Sequence, residues 1–108
     1  MGLTKSEIFT EEQNNLAAIA KVLGHPARIA ILQHLMKIQS CICGDLVNVI
    51  GLAQPTISQH LKELKKINII QGDIEGTSVC YCINKEEWKN IQHSLTAFLD
   101  LSVYKNCC

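Results

Sequence analysis

Residues 44–67 decide the fold: Gly44-Asp45-Leu46-Val47-Asn48-Val49-Ile50, then Gly51-Leu52-Ala53, then Gln54-Pro55-Thr56-Ile57-Ser58-Gln59-His60-Leu61-Lys62-Glu63-Leu64-Lys65-Lys66-Ile67. Leu46 and Ile50 stand one turn apart and share a face of a short helix. Gly51 supplies the tight turn. Pro55 suits the first turn of the next helix, in which Ile57, Leu61, Leu64 and Ile67 recur at steps of four, three and three. The opposite face carries Thr56, Ser58, Gln59, Lys62, Lys65 and Lys66. Two helices joined by a glycine turn, apolar inside and polar outside, read as a helix-turn-helix.

The flanks complete the layout. Leu16, Ile19, Ala20 and Leu23 mark a helix over about 11–23, which Gly24-His25-Pro26 interrupts. Ile29, Leu32, Leu35 and Met36 mark a second one to about Lys37. Downstream the period changes from helix to strand. Ile69-Ile70 and Val79-Cys80-Tyr81-Cys82-Ile83 read as a hairpin around Glu75-Gly76-Thr77. Alternation puts Val79, Tyr81 and Ile83 on one face and both cysteines on the other. A last helix over about 85–103 carries Trp88, Ile91, Leu95 and Phe98 at steps of three, four and three. The expected fold is mainly α with a small β-hairpin: helix-helix-helix-turn-helix-β-β-helix, a winged helix-turn-helix. It forms one domain over 1–108, with the helix-turn-helix at about 43–67 and the wing at about 69–84.

This layout suits the major groove of DNA, which admits one α-helix. Gln54, Thr56, Ser58, Gln59 and His60 are side chains that hydrogen-bond base edges or phosphates, and Lys62 and Lys65 neutralise phosphates. Between Gln54 and Asn68 three Lys stand against one Glu, whereas the whole chain has ten Lys+Arg and ten Asp+Glu. Net neutrality excludes a polybasic protein that holds polyanions through bulk charge. Two other classes are also set aside. No apolar run approaches the ~20 residues of a membrane span, and no export signal opens the chain, so a cytoplasmic protein is expected. An enzyme is not expected: no carboxylate pair, Ser-His-Asp set, phosphate loop or C-x-x-C stands out. One subunit cannot cover both the last-helix seam and Leu16, Ile19 and Leu23, so these residues, with Trp88, Ile91, Leu95 and Phe98, are the expected homodimer interface.

Six cysteines are many for a reducing compartment, and they fall in pairs: Cys41/Cys43, Cys80/Cys82 and Cys107/Cys108. Paired thiols there point to metal or redox chemistry rather than to staples. Cys80 and Cys82, on one strand face, either hold a soft ion or pack as small hydrophobes. Cys41, Cys43, Cys107 and Cys108 are the candidate ligands, and no cofactor is required for folding.

Leu23-Gly24-His25-Pro26-Ala27-Arg28-Ile29-Ala30-Ile31-Leu32, Gly51–Leu61 and Glu75-Gly76-Thr77-Ser78-Val79-Cys80-Tyr81 together resemble the arsenical-repressor (ArsR/SmtB) family of bacterial transcriptional regulators, over roughly residues 15–100. The resemblance implies a homodimer joined by its first and last helices, seated on double-stranded operator DNA as a repressor and released by an inducer. Family inducers are often soft metals or arsenite, which favour thiolates, so arsenite, As(III), is the expected inducer. The alternatives are a thiol-redox or reactive-sulfur trigger on the same fold, or a winged-helix module that binds protein and no DNA. Three departures are visible. Ala53 replaces the usual Ser cap. The wing tip Glu75–Ser78 lacks basic residues. The C-x-C stands one residue earlier than in family sensors, whose cysteine positions fall here on Ile42 and Gly44.

Overall fold

The computed structural model describes residues 5–43, 46–73 and 80–101, with the backbone alone at residues 5, 6 and 43. Its elements run α1 (Lys5–Ile8), α2 (Glu11–Leu23), α3 (Pro26–Ile38), β1 (Ile42–Cys43), α4 (Val47–Ile50), α5 (Gln54–Lys66), β2 (Ile70–Asp73), β3 (Cys80–Ile83) and α6 (Lys85–Leu99). This is the expected mainly helical winged arrangement. Each boundary has a local cause. A reciprocal capping box starts α2: the Gln13 N–H donates to Thr10 Oγ1 and the Thr10 N–H to Gln13 Oε1, both at 3.0 Å. Pro26 opens α3. Gly51, at φ 86°, closes α4 in the left-handed region that glycine enters without strain. Asn84 caps α6 by accepting from the Glu87 N–H at 3.2 Å.

The core is aliphatic. Ile31, Leu32 and Leu35 of α3 meet Ile57, Leu61 and Leu64 of α5, with Leu46, Ile69, Ile70, Tyr81 and Ile91 closing around them. The apolar stripe that the sequence marks on α5 is thus its buried face. Burying a Leu or Ile side chain contributes about 1.5–3 kcal/mol, and this stripe is what holds the second helix of the pair at a fixed angle.

Two elements add to the sequence-based expectation. α1 precedes the first expected helix. The wing is a three-stranded antiparallel sheet of order β1-β3-β2 rather than a two-stranded hairpin. Gln39, left-handed at φ 52°, ends α3, and the chain then runs extended beside β3. Ile42 pairs with Tyr81 and Cys43 with Cys80; across the other edge Ile70 pairs with Ile83, Gln71 with Cys82, Gly72 with Tyr81 and Asp73 with Cys80. Gly72 is required where it stands. Its φ is +115°, and a Cβ there would meet the Cys80 carbonyl oxygen and come within 2.9 Å of Tyr81 Cα. The last helix ends at Leu99, with Asp100 as its C-cap, short of the expected 103, and the helix expected from about Gly44 begins at Val47, with Leu46 as its N-cap. Gly44-Asp45, the wing tip Glu75–Ser78 with Val79, residues 102–103, and Cys107 and Cys108 lie outside the described residues.

Candidate nucleic-acid interface and the neighbouring thiols

The outer face of α5 follows from the burial of its inner one. Gln54, Thr56, Gln59, Lys62 and Lys65 are exposed, whereas Ser58 and His60 are half-buried at its flanks. Gln54 Nε2 donates to Ser58 Oγ at 3.2 Å, and Gln59 Nε2 to Glu63 Oε1 at 3.4 Å. Lys65 Nζ donates to the Gly72 carbonyl at 2.8 Å, which ties the helix to the sheet. Lys66 pairs with Glu63 at 2.9 Å, and that bond above all holds the Glu63 carboxyl below its ordinary value. Ala53 supplies no side-chain cap; Pro55 has no N–H, and the Thr56 and Ile57 N–H groups both donate to the Ala53 carbonyl, at 3.1 and 3.0 Å.

His60 sits elsewhere than Thr56 and Gln59. Its Nδ1 accepts from Arg28 Nε at 3.0 Å, and Arg28 Nη1 donates to the Val22 carbonyl at 3.1 Å. The rings of His60 and His25 lie 5.6 Å apart. Burial first, then the positive charges of Arg28 and His25, push the His60 pKa down. The neutral ring is the form that accepts from Arg28, because a protonated imidazole has only donors. Arg28 is buried, with 8% exposure, and in the sequence it reads only as the basic residue of a helix. Its buried position beneath α5 follows from the α3–α5 crossing, which no local pattern reveals.

The cysteines form a second group. The pairing of Ile42 with Tyr81 and Cys43 with Cys80 continues outward to place Cys41 opposite Cys82. The thiols of Cys41 and Cys82 share a hydrogen bond, which chiefly pushes the Cys41 thiol up from its ordinary value. Gln71 Nε2 approaches Cys82 Sγ from the other strand at 4.0 Å. Cys41 and Cys82 are free thiols, Cys41 exposed and Cys82 half-buried, and Cys80 is disulfide-bonded. Tyr81 is buried and Ile70 with it, so the cysteines occupy the opposite, outer face of the sheet. Among the described residues no group of three or more His, Cys, Asp or Glu side chains comes together.

Of the seven expected interface residues, Leu23, Trp88, Ile91 and Leu95 line an apolar cleft of about 580 Å³ between α3 and α6, with Met36 and Ile69. Ile19 and Ile91 are buried within the chain, Leu16 is half-buried and Phe98 is 53% exposed. Leu99 and Leu101 continue the exposed apolar end of α6. Among the described residues no helix is long and apolar enough to cross a membrane.

A helix-turn-helix braced by a three-stranded wing defines a winged helix-turn-helix protein. Residues 25–71 match the model of the bacterial regulatory protein, arsR family. The chain is 34% identical over 80 residues to an arsenical resistance operon repressor of Staphylococcus xylosus, covering 74% of this chain and 76% of that one. It belongs to the arsR family of bacterial regulatory proteins. It is also 38% identical over 63 residues to the HTH-type transcriptional repressor SmtB of Mycobacterium tuberculosis, a match covering 58% of this chain and 46% of that relative, so it spans under half of that protein's length. The structure of NolR from Sinorhizobium fredii superposes with a TM-score of 0.62 at 23% identity, covering 94% of this chain and 99% of that one, which supports the fold.

Proposed function

We propose that the protein is a homodimeric, sequence-specific repressor that reads double-stranded operator DNA with α5 and leaves it when a thiophilic metalloid or metal, arsenite first, binds its cysteines. The observation that carries this is the α5 surface: Gln54, Thr56, Gln59, Lys62 and Lys65 exposed together on a helix whose other face is locked into the core. Ser58 and His60, half-buried on its flanks, complete the reading set. Exposed Phe98 on α6, with half-buried Leu16, Leu23, Trp88 and Leu95, makes the subunit contact, and Ile19 and Ile91, buried within the chain, pack beneath it. The arsenite reading draws on the name of the Staphylococcus relative and on the affinity of trivalent arsenic for sulfur. Cys41, Cys43, Cys107 and Cys108 are its candidate ligands.

A titration of a promoter duplex from the gene's own upstream region, followed by fluorescence anisotropy across a salt series, tests this. Log affinity falls linearly with log salt when phosphates are neutralised. Binding that ignores salt, or a monomer in sedimentation at micromolar protein, refutes the reading and leaves the protein-interaction module. A thiol-oxidation trigger is the second reading, favoured by the disulfide at Cys80. There mild oxidant, and no metalloid, releases the duplex.

A further inference from the structure

We propose that Cys41 and Cys82, facing each other across β1 and β3 on the outer face of the wing sheet, are a dithiol site that condenses with a neutral trivalent metalloid hydroxide such as arsenous acid. This rests on the reading that the protein responds to thiophilic species, and it moves the site from the chain's C-terminal cysteines to the sheet.

Register carries the argument. The paired positions Ile42/Tyr81 and Cys43/Cys80 fix the phase of the two strands. Side chains two residues apart on a strand share a face, so Cys80 and Cys82 stand on one side of β3, and the register carried one step before β1 sets Cys41 opposite Cys82. The sheet thereby carries two facing cysteine positions in succession. At one of them Cys80 is engaged in a disulfide. At the other both thiols are free, in mutual hydrogen-bond contact, and Cys41 is open to solvent. A single atom bonded to both sulfurs would link the two facing strand positions. Gln71 is the Cα partner of Cys82 on β2, and its amide lies 4.0 Å from Cys82 Sγ. It offers a hydrogen-bond donor to a hydroxyl left on the bridging atom.

The chemistry selects the ligand class. Divalent zinc-like ions want about four ligands and deprotonated thiols. The described residues offer no group of three or more His, Cys, Asp or Glu side chains. Arsenous acid needs neither condition. In As(OH)₃ + 2 RSH → (RS)₂AsOH + 2 H₂O, two As–O and two S–H bonds break while two As–S and two O–H bonds form. Each thiol proton leaves in a water, and no electron changes hands. The product staples β1, which leads into α4, to β3 of the wing. Such a staple biases the placement of the reading helix relative to the wing, which a repressor senses as a change in operator affinity.

The test uses the full chain carrying Cys107→Ser and Cys108→Ser, without reductant, so that the Cys80 disulfide persists. Sodium arsenite is titrated, bound arsenic is counted by mass spectrometry, and free thiols are mapped with iodoacetamide. The expected result is one arsenic per chain with Cys41 and Cys82 both protected. Adding Cys41→Ser or Cys82→Ser removes the chelate and weakens uptake about a hundredfold or more. Protection mapping on the unaltered sheet reads the same site should either variant fail to fold. Uptake that survives both substitutions, or none in the parent, overturns the site. Equal protection by cadmium at the same concentration overturns the ligand class. Arsenic bound at Cys41 and Cys82 while the promoter duplex stays bound upholds the site and refutes the release reading instead.

Discussion

His60→Ala separates a structural role for this side chain from a DNA-reading one. In the structure His60 Nδ1 accepts from Arg28 Nε at 3.0 Å, and the guanidinium is 8% exposed. Deleting the ring leaves a buried charged donor with one partner fewer. A hydrogen bond to a charged group is worth ~1.5–3 kcal/mol, and because His60 is only half-buried, water refills part of the gap. A loss of about 1–2 kcal/mol is therefore expected, which lowers the thermal midpoint by about 4–16 °C in a domain of this size. Melting is compared at one fixed protein concentration, because subunit association also shifts the midpoint.

The same bond has a pH signature. The folded-state pKa of His60 is lowered, first by burial and then by Arg28 and His25. A lowered pKa means that the unfolded chain takes up the proton more readily. The stabilisation is thus fully present above the ordinary histidine value of about 6.5 and is lost as pH falls through the lower, folded value. The gap between wild type and His60→Ala should be widest near pH 7.5 and close toward pH 5. Equal melting at pH 7.5, with promoter affinity reduced by ~1–3 kcal/mol, refutes the Arg28 role and returns His60 to the base-reading set. A gap that does not change with pH refutes the protonation argument.

The remaining expectations are narrower. Ala53→Ser places an acceptor at an N-cap whose φ of −65° and ψ of 150° suit it, but Pro55 at N2 has no N–H and the Thr56 N–H already donates to the Ala53 carbonyl at 3.1 Å. It should therefore raise stability by no more than about 0.5 kcal/mol in urea denaturation, and a larger gain would mean that the Thr56 N–H prefers the new hydroxyl. Gly72→Ala forces a side chain into φ +115° against the Cys80 carbonyl, so it should lower stability by at least ~1–3 kcal/mol and loosen the Lys65 contact to the wing. A neutral result would mean that β2 slides without loss. Lys62→Ala should weaken binding to specific and random duplexes alike and reduce the salt slope by about one; a specific duplex weakened alone would place Lys62 on a base.

The helices were legible because each has a periodic apolar face. Ile57, Leu61 and Leu64 are marked by spacing and are buried, and Gly51 turns where the glycine stands. α1 escaped because four residues, Lys5–Ile8, are too few to show a period. The interface set on α5 was legible only as a face. Helical spacing puts His60 within one step of both the buried and the outer side, and what tips it inward is Arg28, 32 residues earlier. Likewise Trp88, Ile91 and Leu95 show an apolar seam in sequence, but whether α3 or another subunit covers a seam depends on a crossing that the period does not encode. In the structure these residues line the cleft against α3, and the exposed apolar surface shifts toward Phe98 and Leu99.

The cysteines show how a strand hides. A two-residue strand such as Ile42–Cys43 has no alternation to detect, so Cys41 and Cys43 read as residues displaced by one from a helical sensor motif. On a strand the displacement means something else. Position 42, where a family sensor places its first thiol, holds Ile42, which packs against the core as the partner of buried Tyr81. The apolar residue therefore turns inward, as Tyr81 does between Cys80 and Cys82, and Cys41 beside it is exposed. Two C-x-C motifs with an apolar residue between each pair of thiols are the trace that sequence carries of two facing strands. The one-residue shift sets Cys41 just ahead of β1 and in register with Cys82 of the neighbouring strand, rather than on a helix.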